Sequence, residues 1–157
     1  MLKVIPDPEQ PRVTCKLIGG QLRVQGKKVS PERIQKAVRK WYRYRAEDVF
    51  QRRLDLMIEM LPWTKTAPSW RIMEMQTQWG SCSPEGAVLL NPHLVKGATR
   101  AIDYVLLHEL CHLEEHNHSP CFYGLLNRFM PEWRSVKEQL DGRAELFLSF
   151  SSAGNDS

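Results

Sequence analysis

The twelve residues HELCHLEEHNHS, His108 to Ser119, hold four of the chain's five histidines. On a helix, His108 and His112 are four residues apart, so their rings leave one face about one turn apart and can close on a single ion. Glu109 follows the first of them, placed beside such an ion without binding it, where its carboxylate can take a proton from water. A helix that carries this pattern has to be half buried, apolar toward a core and open at the histidines. Ile102, Val105, Leu106, Leu110 and Leu113 recur at helical spacing and supply the buried side. The spacing predicts a helix from Arg100 to about His116, capped by Thr99.

A third ligand can come from His116 or His118. Were the helix to reach His116, its Cα would lie about 12 Å along the axis from that of His108, too far down the row to complete a tetrahedron. His118 lies past the expected helix end, where Asn117 can take a left-handed turn and swing the chain back. We therefore expect His108, His112 and His118 as metal ligands and Glu109 as the catalytic base, with His116 exposed or supporting. Two other metal patterns fit less well. Metzincins share the ligand spacing but need a glycine where Glu115 stands, together with a methionine turn. A structural zinc on Cys111, His112, His118 and Cys121 would need Cys111 to face the ion from about a quarter turn around the helix.

The rest of the chain supplies the frame. Val13, Cys15 and Leu17 alternate up to Gly19-Gly20 and the pattern resumes at Leu22 and Val24, which predicts a hairpin over about 11–25. Ser30-Pro31 pairs an N-cap with proline at the first helical position, opening a helical region 31–61, one long helix or two, that stops at Pro62. Strands follow over about 70–91, where Ser83-Pro84-Glu85-Gly86 has turn chemistry between two runs expected to pair antiparallel. Ser119-Pro120 opens a helix to about Met130 and Glu132 to Leu140 another, so the metal-site helices span 100–141. A chain of 157 residues suits one domain, here expected as 1–148, with 149–157 a flexible tail.

Charge and apolar runs limit the remaining possibilities. No apolar run approaches the roughly 18 residues of a membrane span, and MLKVIPDPEQ has no signal-peptide pattern, so no membrane and a cytoplasmic location are expected. Cys15, Cys82, Cys111 and Cys121 show no disulfide-framework spacing. The net charge of +4 is gathered largely in Arg33 to Arg53. There Arg43, Arg45, Arg52 and Arg53 with Trp41, Tyr42 and Tyr44 can make a nucleic-acid surface, although a solvated helix face accounts for them more simply.

The motifs WGSCS (Trp79 to Ser83), LNPHL (Leu90 to Leu94), IDYVLLHELCHL (Ile102 to Leu113), NHSPCF (Asn117 to Phe122) and PEW (Pro131 to Trp133), in this order and spacing, resemble the bacterial YgjP-like metal-dependent hydrolases, related to SprT-like and WLM metalloprotease domains. Gln78 and Tyr123 depart from the residues usual in that family. The resemblance implies an α+β, small zincin-like (minimal gluzincin-type) fold, in which the HExxH helix packs with other helices against a short antiparallel sheet. It also implies the same three histidine ligands and Glu109 as base. A zinc-dependent metallopeptidase acting on a peptide or protein is the leading expectation, with Zn2+ or another divalent transition metal as cofactor. A nucleoside triphosphate pyrophosphatase is the first alternative, because a metal-activated water attacks phosphoanhydrides too. A nucleic-acid-associated protein with a metal site is the second. Tyr123, His116, Asn91 and Arg128 are candidate donors to a developing oxyanion, and Trp79 beside Gly80 is either a wall of the substrate cleft or a core residue.

Overall fold

The computed structural model describes residues 2–7, 12–27 and 30–144, so the expected tail at 149–157 lies outside the described residues. Strands β1 (Leu2–Pro6), β2 (Thr14–Ile18) and β3 (Gln21–Gly26) precede helix α1 (Pro31–Met60). Then come β4 (Trp70–Ile72), β5 (Gly80–Cys82), β6 (Val88–Leu90), a short 3-10 helix (Pro92–Lys96), and helices α2 (Thr99–Glu114), α3 (Pro120–Phe129) and α4 (Trp133–Asp141). The chain divides into two compact units, residues 1–45 and 46–157, with the boundary inside α1.

In the first unit the expected hairpin is present. β2 and β3 pair antiparallel from Thr14 opposite Gln25 to Ile18 opposite Gln21. Gly19 and Gly20 turn the chain with φ of 57° and 76°, the left-handed pair whose twist matches that of the flanking strands. β1 adds a parallel strand on the far edge of β3, Leu2 opposite Leu22 through Pro6 opposite Gly26, a pairing not expected from the sequence. Five residues with a proline carry too little pattern to announce it. Alternation along β3 buries Leu22 and Val24 in a small core with Val38 of α1. Helix α1 is a single helix; the Ser30 hydroxyl accepts from the Arg33 N–H at 3.3 Å, the cap expected before Pro31.

In the second unit, Ala46, Phe50, Leu54, Met57 and Leu61 line one side of the α1 segment and its end, spaced three or four apart, and join the main core. The sheet has the order β4-β6-β5. Only β5 and β6 pair antiparallel; Trp70–Ile72 runs parallel to Val88–Leu90, which corrects the expected antiparallel pairing of these two runs. The Ser83 to Gly86 turn, closed by the Gly86 N–H on the Ser83 carbonyl at 2.9 Å, joins β6 to the GSC strand instead. Alternation tells which face a side chain takes, but not the direction of the neighbouring strand. α2 begins at Thr99 itself, with Ala98 in the cap position and no side-chain cap, and ends at Glu114 rather than His116. It is the central helix: Ile102, Val105, Leu106, Leu107 and Leu110 are buried among residues of α1, the sheet, α3 and α4. The architecture is α+β, with mixed rather than purely antiparallel sheets.

Candidate metal centre

The C-terminal half of α2 presents His108 and His112 on one face, and the chain then bends back to bring His118 to them. No non-glycine residue has positive φ among the described residues, so Asn117 makes this return without the expected left-handed turn. The turn is closed instead by the Ser119 N–H on the Asn117 carbonyl at 2.8 Å and by Ser119 capping α3 through the Phe122 N–H at 3.3 Å. Pro120 follows at the first helical position. His118 is thus held between one helix end and the next helix start.

The three rings converge through their Nε2 atoms, His118 to His112 at 3.1 Å and His118 to His108 at 3.3 Å. Hydrogen bonds alone do not account for this meeting, since one ring nitrogen carries either one proton or one lone pair. A tetrahedral ion with nitrogen ligands about 2.0 to 2.1 Å away spaces those ligands about 3.3 Å apart, so the donor set fits one metal ion. The His112 Nδ1 lies 3.2 Å from the Glu115 carbonyl, and donation to it leaves the Nε2 lone pair aimed into the site. The Nδ1 of His108 is buried with no hydrogen-bond partner among the described residues, so packing holds that ring, between Tyr104 at 6.0 Å and Phe122 at 5.0 Å. Phe122 is fully buried and lies 4.6 to 5.0 Å, ring to ring, from all three histidines. It is the floor of the site, a role that sequence reasoning, which sees only an apolar helix position, does not find.

Electrostatics favour the neutral form of the two helical histidines. Burial, helped by positive charge on His112, His118 and Lys137, holds His108 down to about 4, and burial lowers His112 as well. Both rings therefore keep a lone pair at neutral pH. Glu109 is only 6% exposed, and burial pushes its carboxyl up to about 7. A cation among the histidines would draw it down again. Its methylene faces Gly80 of β5. A Cβ at Gly80 would lie 3.1 Å from Glu109 Cγ and 3.2 Å from both the Leu89 carbonyl and Val105. A side chain here would make these neighbours give by a few tenths of an ångström, which favours the glycine of WGSC.

The other candidates fall apart from this centre in different ways. His116 is exposed and is not among the converging nitrogens. Asn91 is fully buried and its amide is committed to backbone: it donates to the Met75 and Gln78 carbonyls at 2.8 and 3.0 Å and accepts from the His93 N–H at 3.1 Å. That removes it as an oxyanion donor. Arg128 is exposed on α3 with its guanidinium 5.1 Å from the Phe129 ring. Trp79 packs against the main core, and its carbonyl accepts from Asn91. Tyr123 does reach the site, half-buried and stacked on His118 with ring centres 6.3 Å apart. Cys111 lies at 0% exposure in the core, its thiol pushed up to about 12 by burial, which argues against the four-ligand structural zinc.

The arginine-rich stretch is also partly spent. Arg53 makes two hydrogen bonds to the buried Asp103 carboxylate at 2.8 and 2.7 Å, and Arg52 pairs with Asp48 at 2.7 Å. Two of the four arginines considered for nucleic acid thus already face carboxylates. No helix among the described residues is long and apolar enough to cross a membrane.

Comparison with known proteins places the chain in a family. No curated protein matches the chain in sequence. Among solved structures it is similar to the metallopeptidase zymogen abylysin of Pyrococcus abyssi, at 21% identity over 60% of this chain and 90% of that one, with a TM-score of 0.49. It is similar also to the metallopeptidase zymogen jannalysin of Methanocaldococcus jannaschii, at 19% identity over 62% and 95%, with a TM-score of 0.49. The YgjP-like metallopeptidase domain matches residues 1–143, and with that match the chain belongs to the YgjP-like family and is a metal-dependent hydrolase.

Proposed function

We propose that the chain is a zinc-dependent peptidase in which His108, His112 and His118 hold the metal and Glu109 is the general base and acid. The observation that carries this reading is the meeting of three imidazole nitrogens at 3.1 and 3.3 Å, with the buried carboxylate of Glu109 next in sequence to His108 on α2. Bound there, zinc supplies the Lewis acidity that brings water toward ionisation near neutral pH and polarises a carbonyl. With the ion held there, Glu109 would take a proton from the attacking water as its oxygen bonds the carbonyl carbon, and would pass it to the amine as the C–N bond breaks. Held next to His108 on the same helix, the Glu109 carboxylate can carry the proton between these two transfers. Phe122 and the Glu115 carbonyl keep the rings oriented, so little reorganisation is needed when substrate arrives. The Tyr123 ring stands beside His118 and is the remaining candidate to steady developing negative charge. A cytoplasmic location is part of the same proposal.

The test is a metal assay together with two substrates. The purified chain is expected to carry about one zinc and to hydrolyse unfolded protein, while Glu109→Gln keeps the zinc and loses that hydrolysis. Turnover of nucleoside triphosphates alone, removed by the same substitution, would replace the peptidase with a phosphoanhydride hydrolase.

A further inference from the structure

A cavity of about 620 Å³ opens beside the histidines and shares two of them, His108 and His118, in its lining. Glu109 and His112 do not line it, so whatever fills it leaves the base clear. Its wall is aromatic. Trp133 of α4 stacks on Tyr104 of α2 at 6.3 Å with 7° between planes, and on Tyr123 of α3 at 5.5 Å with 20°. Three helices thus contribute one ring each to a surface that adjoins the candidate metal centre. This volume lies within the range of clefts that accept small ligands and is more than one side chain needs.

The charged residues of the lining decide the kind of guest. Arg134 and Lys137 are balanced by Glu138 and Asp141. Lys137 is bound to Asp141 at 2.6 Å and the Arg134 guanidinium lies 4.7 Å from the Trp133 ring centre, so both cations already face partners. A charged side chain entering here would lose water and meet no net opposite charge, whereas an apolar or aromatic one gains burial against the rings. We infer that this cavity is the specificity pocket of the peptidase and receives a large apolar or aromatic side chain next to the bond that is cut. The inference rests on the peptidase reading and adds which residue flanks the cut.

The experiment uses the full zinc-loaded chain and synthetic peptides identical except at one residue flanking the cleaved bond: Phe, Leu, Ala, Glu or Lys. Phe and Leu are expected to exceed Ala by roughly 10- to 100-fold in kcat/KM at one flanking position. Glu138→Lys with Asp141→Lys, both on the exposed rim, is expected to raise the Glu peptide roughly tenfold at that position, because the lining then carries only positive charge. Tyr123→Ala, checked for retained zinc, is expected to flatten the preference. Binding gives a readout apart from turnover: the Phe peptide, added to Glu109→Gln, is expected to shift the Trp133 indole N–H resonance, whose donor bonds the Asn127 amide oxygen at 2.8 Å. A chain that cuts peptides with a flat profile, or whose preference ignores both sets of substitutions, overturns the pocket and leaves the peptidase standing. A chain inert on every peptide overturns both.

Discussion

Among its described residues the first compact unit buries three apolar side chains, Leu22, Val24 and Val38, and leaves Leu2, Val4, Leu17 and Ile18 between 40% and 54% exposed. The second buries a cluster that runs from Ala46 to Leu140 and includes the whole inner face of α2. The difference teaches where chemistry can be built. Nitrogens held at 3.1 and 3.3 Å need rings that cannot wander, and ring positions are as stable as the core beneath them. A sheet whose edge residues remain half in water offers no such support, and all of the candidate site lies in the second unit. The small unit is correspondingly expected to open locally at lower free energy than the large one.

Substitutions can break this contrast, and the largest effect is expected on activity. Glu109→Gln should reduce peptide hydrolysis by at least about 10³-fold while melting at or above the parent temperature, since it removes a buried ionisable group. A variant that unfolds would show that Glu109 is structural. Phe122→Ala comes next, at about 3 to 5 kcal/mol of stability, together with weaker zinc binding, because it empties the floor under the three candidate ligands. Denaturant melts with and without zinc measure both losses, and stability lost without any change in zinc affinity would contradict the floor.

Leu22→Ala sharpens the comparison from the other side. It should cost about 2 kcal/mol and strip hydrogen-exchange protection from β1, β2 and β3 while zinc binding and activity persist. Loss of zinc in this variant would mean that the two units are not energetically separate. Chelation should abolish activity and lower the melting temperature without unfolding the chain, since the core under the triad is apolar and complete without the ion. Far-UV circular dichroism before and after chelation decides this.

The smallest effect expected is one of pH. Burial holds Lys96 down to about 8 from an ordinary 10.5, so between those values the unfolded chain binds more protons than the folded one and stability rises with pH. Below about 8 the cost of the half-buried ammonium is fully present. Lys96→Met should therefore raise the melting temperature by a few degrees at pH 7, and this gain should shrink as pH climbs from about 8 toward 10.5. A gain that does not vary with pH would assign the effect to packing.

The placing of Glu109 and of the two candidate ligands on the helix was legible because a helix repeats every 3.6 residues, and spacing alone puts His108 and His112 on one side. The choice of His118 over His116 followed from reach along the axis, although the return of the chain does not use the turn expected at Asn117. Asn91 shows the opposite case. An amide near a cleft looks like a donor to substrate until its three hydrogen bonds to backbone are seen. Arg53 likewise looks like a free surface cation until Asp103, fifty residues away, is found beneath it.

What the sequence determined by itself was local: the helix that carries the site, its buried face, the Gly19-Gly20 hairpin, and the capped starts of α1 and α3. These depend on backbone preference and on neighbours a few residues away. Tertiary structure alone decided the parallel placement of β1 and β4, the contact of Gly80 with Glu109, the floor made by Phe122, and the aromatic wall from three helices. Each of these joins residues far apart in the chain. Their meeting is set by how whole faces pack, and no local pattern records which distant face that will be.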